Sequence, residues 1–419
     1  AAGGGTALKF MSSNAVVDNN ILDARGNGVT FGHGIDATDF PSNWFPGAMP
    51  TTGATNAKIT NNTIRGTGNA GAGILMWSPA NTNFLVENNT IRNCAHAGIT
   101  AVWPNFWVAP FAFAGGSNNT IRGNTIINTG LAGFPIPLPA IGTSFPLGTG
   151  IASNGNNRIE NNTIRDVKNG LGIATTGTND QITGNTIDTV SGVFGSGILI
   201  FSAAGNAVLD GNTVRNISGP AGDGISVLAG NASITNNTID TIWAGHGIKL
   251  YGSDFTRVGP FGPVGYTSAG NATISDNTIA NVHNGAGINL VDNDNNTVTG
   301  NQIANTGQDG ILLFAAPFFD PDREVSVIFG AWGAANFFLP PTTNAQNNTI
   351  RGNTIVGAAQ DAANVAPVAA VVPLGWTWPN ALTASGVPSQ RYAGIRLEGN
   401  ADNNTIDGNT VEDAGSAGY

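Results

Sequence analysis

Charge is scarce in this chain. Asp, Glu, Lys and Arg make up 10% of its 419 residues, against roughly 25% in an average soluble domain. The 16 basic residues face 26 acidic ones, for a formal net charge of −10, and no basic run occurs, which argues against a nucleic-acid partner. Cysteine is limited to Cys94, so an intrachain disulfide framework is excluded and a small buried filler is the expected role. No apolar run approaches the ~18 residues of a membrane-spanning helix. No charged segment leads into an apolar stretch at the start, as a signal sequence would require. The chain opens on Ala1-Ala2-Gly3 without Met, which reads as a processed or excised form. Nor does any unit hold an amphipathic helical stretch of the usual length.

What is abundant is glycine, at 59 residues, and asparagine, at 54. Glycine tolerates left-handed backbone and asparagine bonds its own backbone, so the composition suits stacked turns. A search for internal repeats gives two alternating columns. One is Asn followed by Thr-Ile or a close variant, with its Asn at Asn62, Asn89, Asn124, Asn162, Asn185, Asn212, Asn237, Asn277, Asn301, Asn353 and Asn409, and Asn20 as a degenerate first member. The other is Gly-Ile, with Ile at 35, 74, 99, 151, 173, 198, 225, 248, 288, 311 and 395, and Leu8 opening the series. Uninterrupted Gly-Ile sites lie 22 to 27 residues apart, enough for three short strands and three turns. Period-2 alternation points the aliphatic columns inward as ladders. The Asn column fits a sharp bend whose backbone groups need a buried amide as partner. Matches to the glycosylation pattern, such as Asn61-Asn62-Thr63, are mostly a by-product of that column.

These columns predict an all-β chain: one solenoid of twelve coils spanning residues 1–419. The pattern resembles the pectate-lyase-like right-handed parallel β-helix superfamily over essentially the whole chain. That resemblance implies the fold and leaves activity open, because the superfamily includes polysaccharide lyases, hydrolases, epimerases, tailspikes and adhesins. The calcium-binding nonapeptide repeat of some bacterial β-helices is missing, and no metal or other cofactor is expected.

Six coils break the short period, near residues 37–56, 101–117, 252–270 and 315–345 after the Gly-Ile strand, and 128–149 and 357–392 before it. The insertions are apolar, for example Trp103-Pro104-Asn105-Phe106-Trp107, Phe337-Phe338-Leu339-Pro340-Pro341 and Trp376-Thr377-Trp378-Pro379. Solvated loops are not built this way; these segments pack on the solenoid wall, contact a neighbour or stack on a sugar.

Residues one beyond the Gly-Ile isoleucine should point outward, among them Asp36, Leu75, Thr100, Lys249, Asn289 and Arg396. Much of this face is aliphatic, short of the clustered carboxylates and cations that acidic-glycan chemistry needs. The best catalytic cluster is Asp223, His246, Lys249, Tyr251 and Asp309, with Asp254, Asp292 and Asp294 just beyond. Asp223, His246 and Asp309 each precede a Gly-Ile. Tyr251 with His246 would form an acid/base pair, and Lys249 would neutralise a substrate carboxylate. The competing reading makes Asp223, His246 and Asp309 turn residues that cap backbone groups. Asp320-Pro321-Asp322-Arg323-Glu324 is partly similar to a motif of alginate-epimerase-like enzymes but lacks its His. His33 reads as a turn residue, and His96 and His283 as isolated histidines with no metal-site spacing.

Two functions follow. The first is an extracellular or cell-surface structural or interaction protein, bacterial in character, that self-associates end to end or through its apolar loops into a filament or surface layer. It rests on the low charge, the aromatic insertions and a nearly whole number of coils, with excision from a longer chain as the alternative account of the ends. The second is a polysaccharide lyase or epimerase acting on acidic glycans. Passive glycan or ice binding through outward Thr residues is a third, lesser use.

Overall fold

The computed structural model describes residues 6–415 except 26–31, 39–52, 69–70, 79, 102–115, 133, 139–142, 176–178, 193–194, 201–205, 220–221, 229–230, 252–257, 260–261, 264–268, 292, 315–344, 360–392 and 399–400. No helix occurs among these residues; the chain is a parallel β-helix of twelve coils. Three parallel sheets run its length, and each takes one strand from every coil. The Gly-Ile sheet runs from Leu8–Lys9 to Ile395–Glu398, the Thr-Ile sheet from Ile21–Leu22 to Thr410–Glu412, and a third sheet from Val16–Asp18 to Thr405–Asp407. Among the described residues the Gly-Ile sheet gains an extra strand, Phe134–Leu138, which pairs antiparallel with Thr143–Ser153 and makes a hairpin of part of the 128–149 insertion. The aromatic loops at 103–107, 337–341 and 376–379 lie outside the described residues.

Register follows the repeat. Ile64, Ile91, Ile126, Ile164 and Ile187 are paired coil to coil in the Thr-Ile sheet, and all are fully buried. Each such side chain stabilises the fold by roughly 1.5–3 kcal/mol. The glycine before each Gly-Ile isoleucine has a packing reason. A Cβ on Gly98 would lie 2.4 Å from Ile126 Cγ2 and 2.7 Å from the Gly150 oxygen, and one on Gly224 would lie 2.6 Å from both Ile239 Cγ2 and the Gly247 oxygen. The Gly column is therefore the hollow that receives the Thr-Ile ladder.

The Asn column stands at the corner between the third sheet and the Thr-Ile sheet. From Asn20 to Asn353, each Asn donates its backbone N–H to the side-chain oxygen of the next coil's Asn at 2.9–3.1 Å. Its amide donates to the same oxygen and, in the inner coils, also to a strand carbonyl of the preceding coil, as Asn212 does to Ile182 at 2.8 Å. Buried donors and acceptors are thus satisfied along the corner. The residue before each ladder Asn is left-handed, with φ of +53° to +66°, and is always Asn, Asp or Gly. Only those residue types adopt that conformation readily, which explains the recurring Asn-Asn and Gly-Asn doublets.

Candidate functional site on the Gly-Ile face

Of the residues expected to point outward, Asp36, Leu75, Thr100, Lys249 and Asn289 are at most 5% exposed and Arg396 is partly buried, so this row is covered and does not face solvent. The catalytic candidates share this burial: Asp223 is 3% exposed, His246 1%, and Lys249 and Asp309 0%. Tyr251 ends the strand Ile248–Tyr251, in register with Leu228 and Val291. Asp254, Asp292 and residues 320–324 lie outside the described residues. Asp294 accepts the backbone N–H of Gln346 at 2.7 Å.

Position in the coil gives these polar residues a common task. Asp223 Oδ1 accepts the backbone N–H of His246 at 2.8 Å, and His246 Nδ1 accepts that of Ala286 at 2.9 Å. Likewise Asp309 Oδ1 accepts that of Ala393 at 2.7 Å, His33 Nδ1 that of Ala72 at 3.0 Å, and Ser196 Oγ that of Asp223 at 3.3 Å. Each acceptor precedes a Gly, and each donor holds the same place in the next coil. A side chain here supplies the bond that the bending backbone does not make with its neighbour.

His246 Nδ1 accepts the Ala286 N–H, and the Asn289 side-chain amide nitrogen lies 3.1 Å from Nε2. Both ring nitrogens are thus engaged inside the fold, whereas a general base needs one free near the substrate. Burial pushes the Asp223 carboxyl up from its ordinary value; Lys249, His246 and the hydrogen bonds from His246 N–H and Ser226 pull the other way. Asp223, His246 and Lys249 therefore do meet in one buried cluster. Asp309 is two coils beyond His246 and pairs instead with Arg396, at 2.8 Å.

Several residues of the interior were not singled out from sequence. Asn289 and Arg396 appeared there only as outward residues, not as the partners of His246 and Asp309. A second corner, ahead of the third sheet, carries the buried Asn119, Asn157, Asp180, Asn296 and Asn348 and the partly buried Asn404; for example, Asn119 N donates to Asn157 Oδ1 and Asn157 N to Asp180 Oδ1, both at 2.8 Å. The doublets Asn118-Asn119 and Asn347-Asn348 were its available signal, broken by Ala207, Ala232 and Ala272. His283 is not isolated: its ring stacks on the half-exposed Trp243 at 4.4 Å. No group of His, Cys, Asp and Glu among the described residues could hold a metal ion.

The profile of the family described as "Right handed beta helix region" matches residues 46–188, 108–260 and 172–419. No curated protein matches the sequence. Similar solved structures include a mutant of the periplasmic alginate epimerase AlgG, at 12% identity and TM-score 0.44, covering 85% of this chain and 69% of that one. A mutant tailspike protein of E. coli bacteriophage HK620 is 14% identical with TM-score 0.48, over 86% of this chain and 53% of its own. The mannuronan C-5 epimerase A-module of Azotobacter vinelandii is 12% identical with TM-score 0.39, over 86% of both chains. The chain thus spans about half the length of that tailspike. At such identities the likeness carries no argument about activity.

Proposed function

The chain belongs to the right-handed β-helix family, and from that premise we propose that it is a structural or interaction solenoid rather than a lyase or epimerase. One observation carries this reading: Asp223, His246 and Asp309, the groups best suited to proton transfer, already hold backbone N–H groups of the next coil. Their burial points the same way. The test is incubation with a panel of uronic-acid polysaccharides, following both absorbance from unsaturated products and product composition. The expected result is no product. A product that disappears in Tyr251→Phe or His246→Ala would establish the enzyme reading, which the meeting of Asp223, His246 and Lys249 favours.

The finer form of this proposal is an extracellular or cell-surface rod that self-associates end to end. Ile406 and Val411 continue the inner columns of Ile350 and Ile355, yet they are 45% and 43% exposed. A further coil in the same register, from a second copy or from more of the same chain, would cover them and pair the backbone edge. Electron microscopy of the purified protein should show rods that lengthen in steps of roughly twelve strand spacings, ~58 Å. A monodisperse monomer would overturn self-association.

A further inference from the structure

The Thr-Ile sheet carries cations where its fold alone would disfavour them. Its outward column reads Arg65, Arg92, Ile127, Arg165 on consecutive coils. Arg65 and Arg92 are direct register partners, about 4.8 Å apart in backbone, and Arg165 is two spacings further, so the column spans about 14 Å. All three arginines are exposed, and none makes an ion pair among the described residues. The nearby acids have closer partners, Asp23 in Arg25, Glu87 in Arg122, Glu160 in Arg158 and Asp188 in Arg215, although the Arg65 charge also acts on Asp23. Asp166 follows Arg165 in the strand Thr163–Val167, and both it and Lys168 are exposed. Like charges directly opposite one another destabilise a sheet, which applies to Arg65 against Arg92; Arg165 stands in register between Ile127 and Asp188.

We propose that this column is a binding surface for a linear acidic polysaccharide lying along the solenoid axis. A uronic-acid chain presents one carboxylate per sugar in a row, and guanidinium groups stacked coil by coil meet such a row with forked hydrogen bonds. Two residues upstream on each strand stand Thr63, Thr90, Thr125 and Thr163, a parallel row of partly exposed hydroxyls that can bond sugar hydroxyls. Duplex nucleic acid fits less well. It carries a charge every ~1.7 Å, a density that three arginines spread along one column do not match.

The test is binding of the whole chain to immobilised polygalacturonate, neutral dextran and duplex DNA, at low and at physiological ionic strength. Polygalacturonate should be bound, more weakly as salt rises, and dextran should not. The triple variant Arg65→Gln, Arg92→Gln, Arg165→Gln should bind at least about tenfold more weakly. Arg351→Gln, whose arginine pairs with Asp407 on the third sheet, should bind as the native chain does. Relieved repulsion should leave the triple variant melting no lower than the native chain. The proposal is overturned if the triple variant binds unchanged, if polygalacturonate is not bound, if DNA is bound more tightly, or if the triple variant melts lower and so reveals a structural role. None of these readouts depends on chemistry at Asp223 or His246, so failure here leaves the reading of the Gly-Ile face untouched.

Discussion

Asn185 gives two hydrogen bonds to the single side-chain oxygen of Asn212, one from its backbone N–H and one from its amide, both at 3.0 Å. Asn212 repeats the arrangement toward Asn237 at 2.9 Å and sends its remaining amide hydrogen to the Ile182 oxygen at 2.8 Å. No other side chain of this size supplies an acceptor with two lone pairs and two donors in one plane. Asn212→Leu should therefore destabilise the fold by roughly 1–3 kcal/mol, the cost of buried backbone and amide groups left unpaired. Denaturant unfolding monitored by circular dichroism measures this. A variant as stable as the native chain would show that the ladder contributes nothing at its centre.

His33 connects stability to pH. Its ring is buried, and that burial lowers its pKa below the ordinary 6.5; the Asp36 carboxylate raises it, Lys9 lowers it, and the bond from Ala72 N–H raises it. A lowered pKa means that the unfolded chain binds the proton more readily. Stability is then complete above pH 6.5 and is lost as the pH falls below that value toward the folded pKa. The protection factor of the Ala72 amide, whose N–H bonds His33 Nδ1, should fall on acidification through that window once the intrinsic pH dependence of exchange is divided out. In His33→Asn the protection factor should be flat over this range.

The burial of Cys94 predicts chemical silence. Its thiol is fully buried, and burial pushes its pKa up to about 12, against a small opposing effect from the Gly73 backbone. Thiolate is the reactive form, so a thiol reagent at neutral pH should label the native chain at the rate of global or local opening only. Denaturant should restore ordinary reactivity. Fast labelling without denaturant would place Cys94 in a coil that opens readily.

These cases show what could be read from sequence and what could not. The twelve-coil fold was legible because two of its columns admit few residue types: a left-handed residue before each ladder Asn, and a glycine where a Cβ would strike the facing ladder. The pre-Gly column was harder, since Ser196, Asp223, His246 and Asp309 do one task with different chemistry and so present no repeated letter. Arginines 65, 92 and 165 are scattered in sequence and become neighbours only through register. Burial of Lys249 and Asn289 was not legible either, because alternation assigns a side of the sheet and says nothing about what covers that side.

The Gly-Ile hollow allows the most direct test of how two sheets are keyed together. In the ninth coil's predecessor, Gly224 faces Ile239, a residue of the Thr-Ile ladder that is fully buried. An added methyl at Gly224 would meet Ile239 Cγ2 and the Gly247 oxygen at 2.6 Å, closer than real contacts allow. Gly224→Ala should cost about 1–3 kcal/mol through overpacking, and Ile239→Ala about 2–5 kcal/mol through its cavity. Because the methyl would occupy part of that cavity, the two losses should not add. The double variant should be more stable than their sum predicts, by on the order of 1 kcal/mol in a double-mutant cycle. The rescue should stay incomplete, since the clash with the Gly247 oxygen is with backbone and survives the removal of Ile239. Strict additivity in denaturant unfolding would show that the glycine column answers to the backbone of the next coil alone, and not to the ladder it faces.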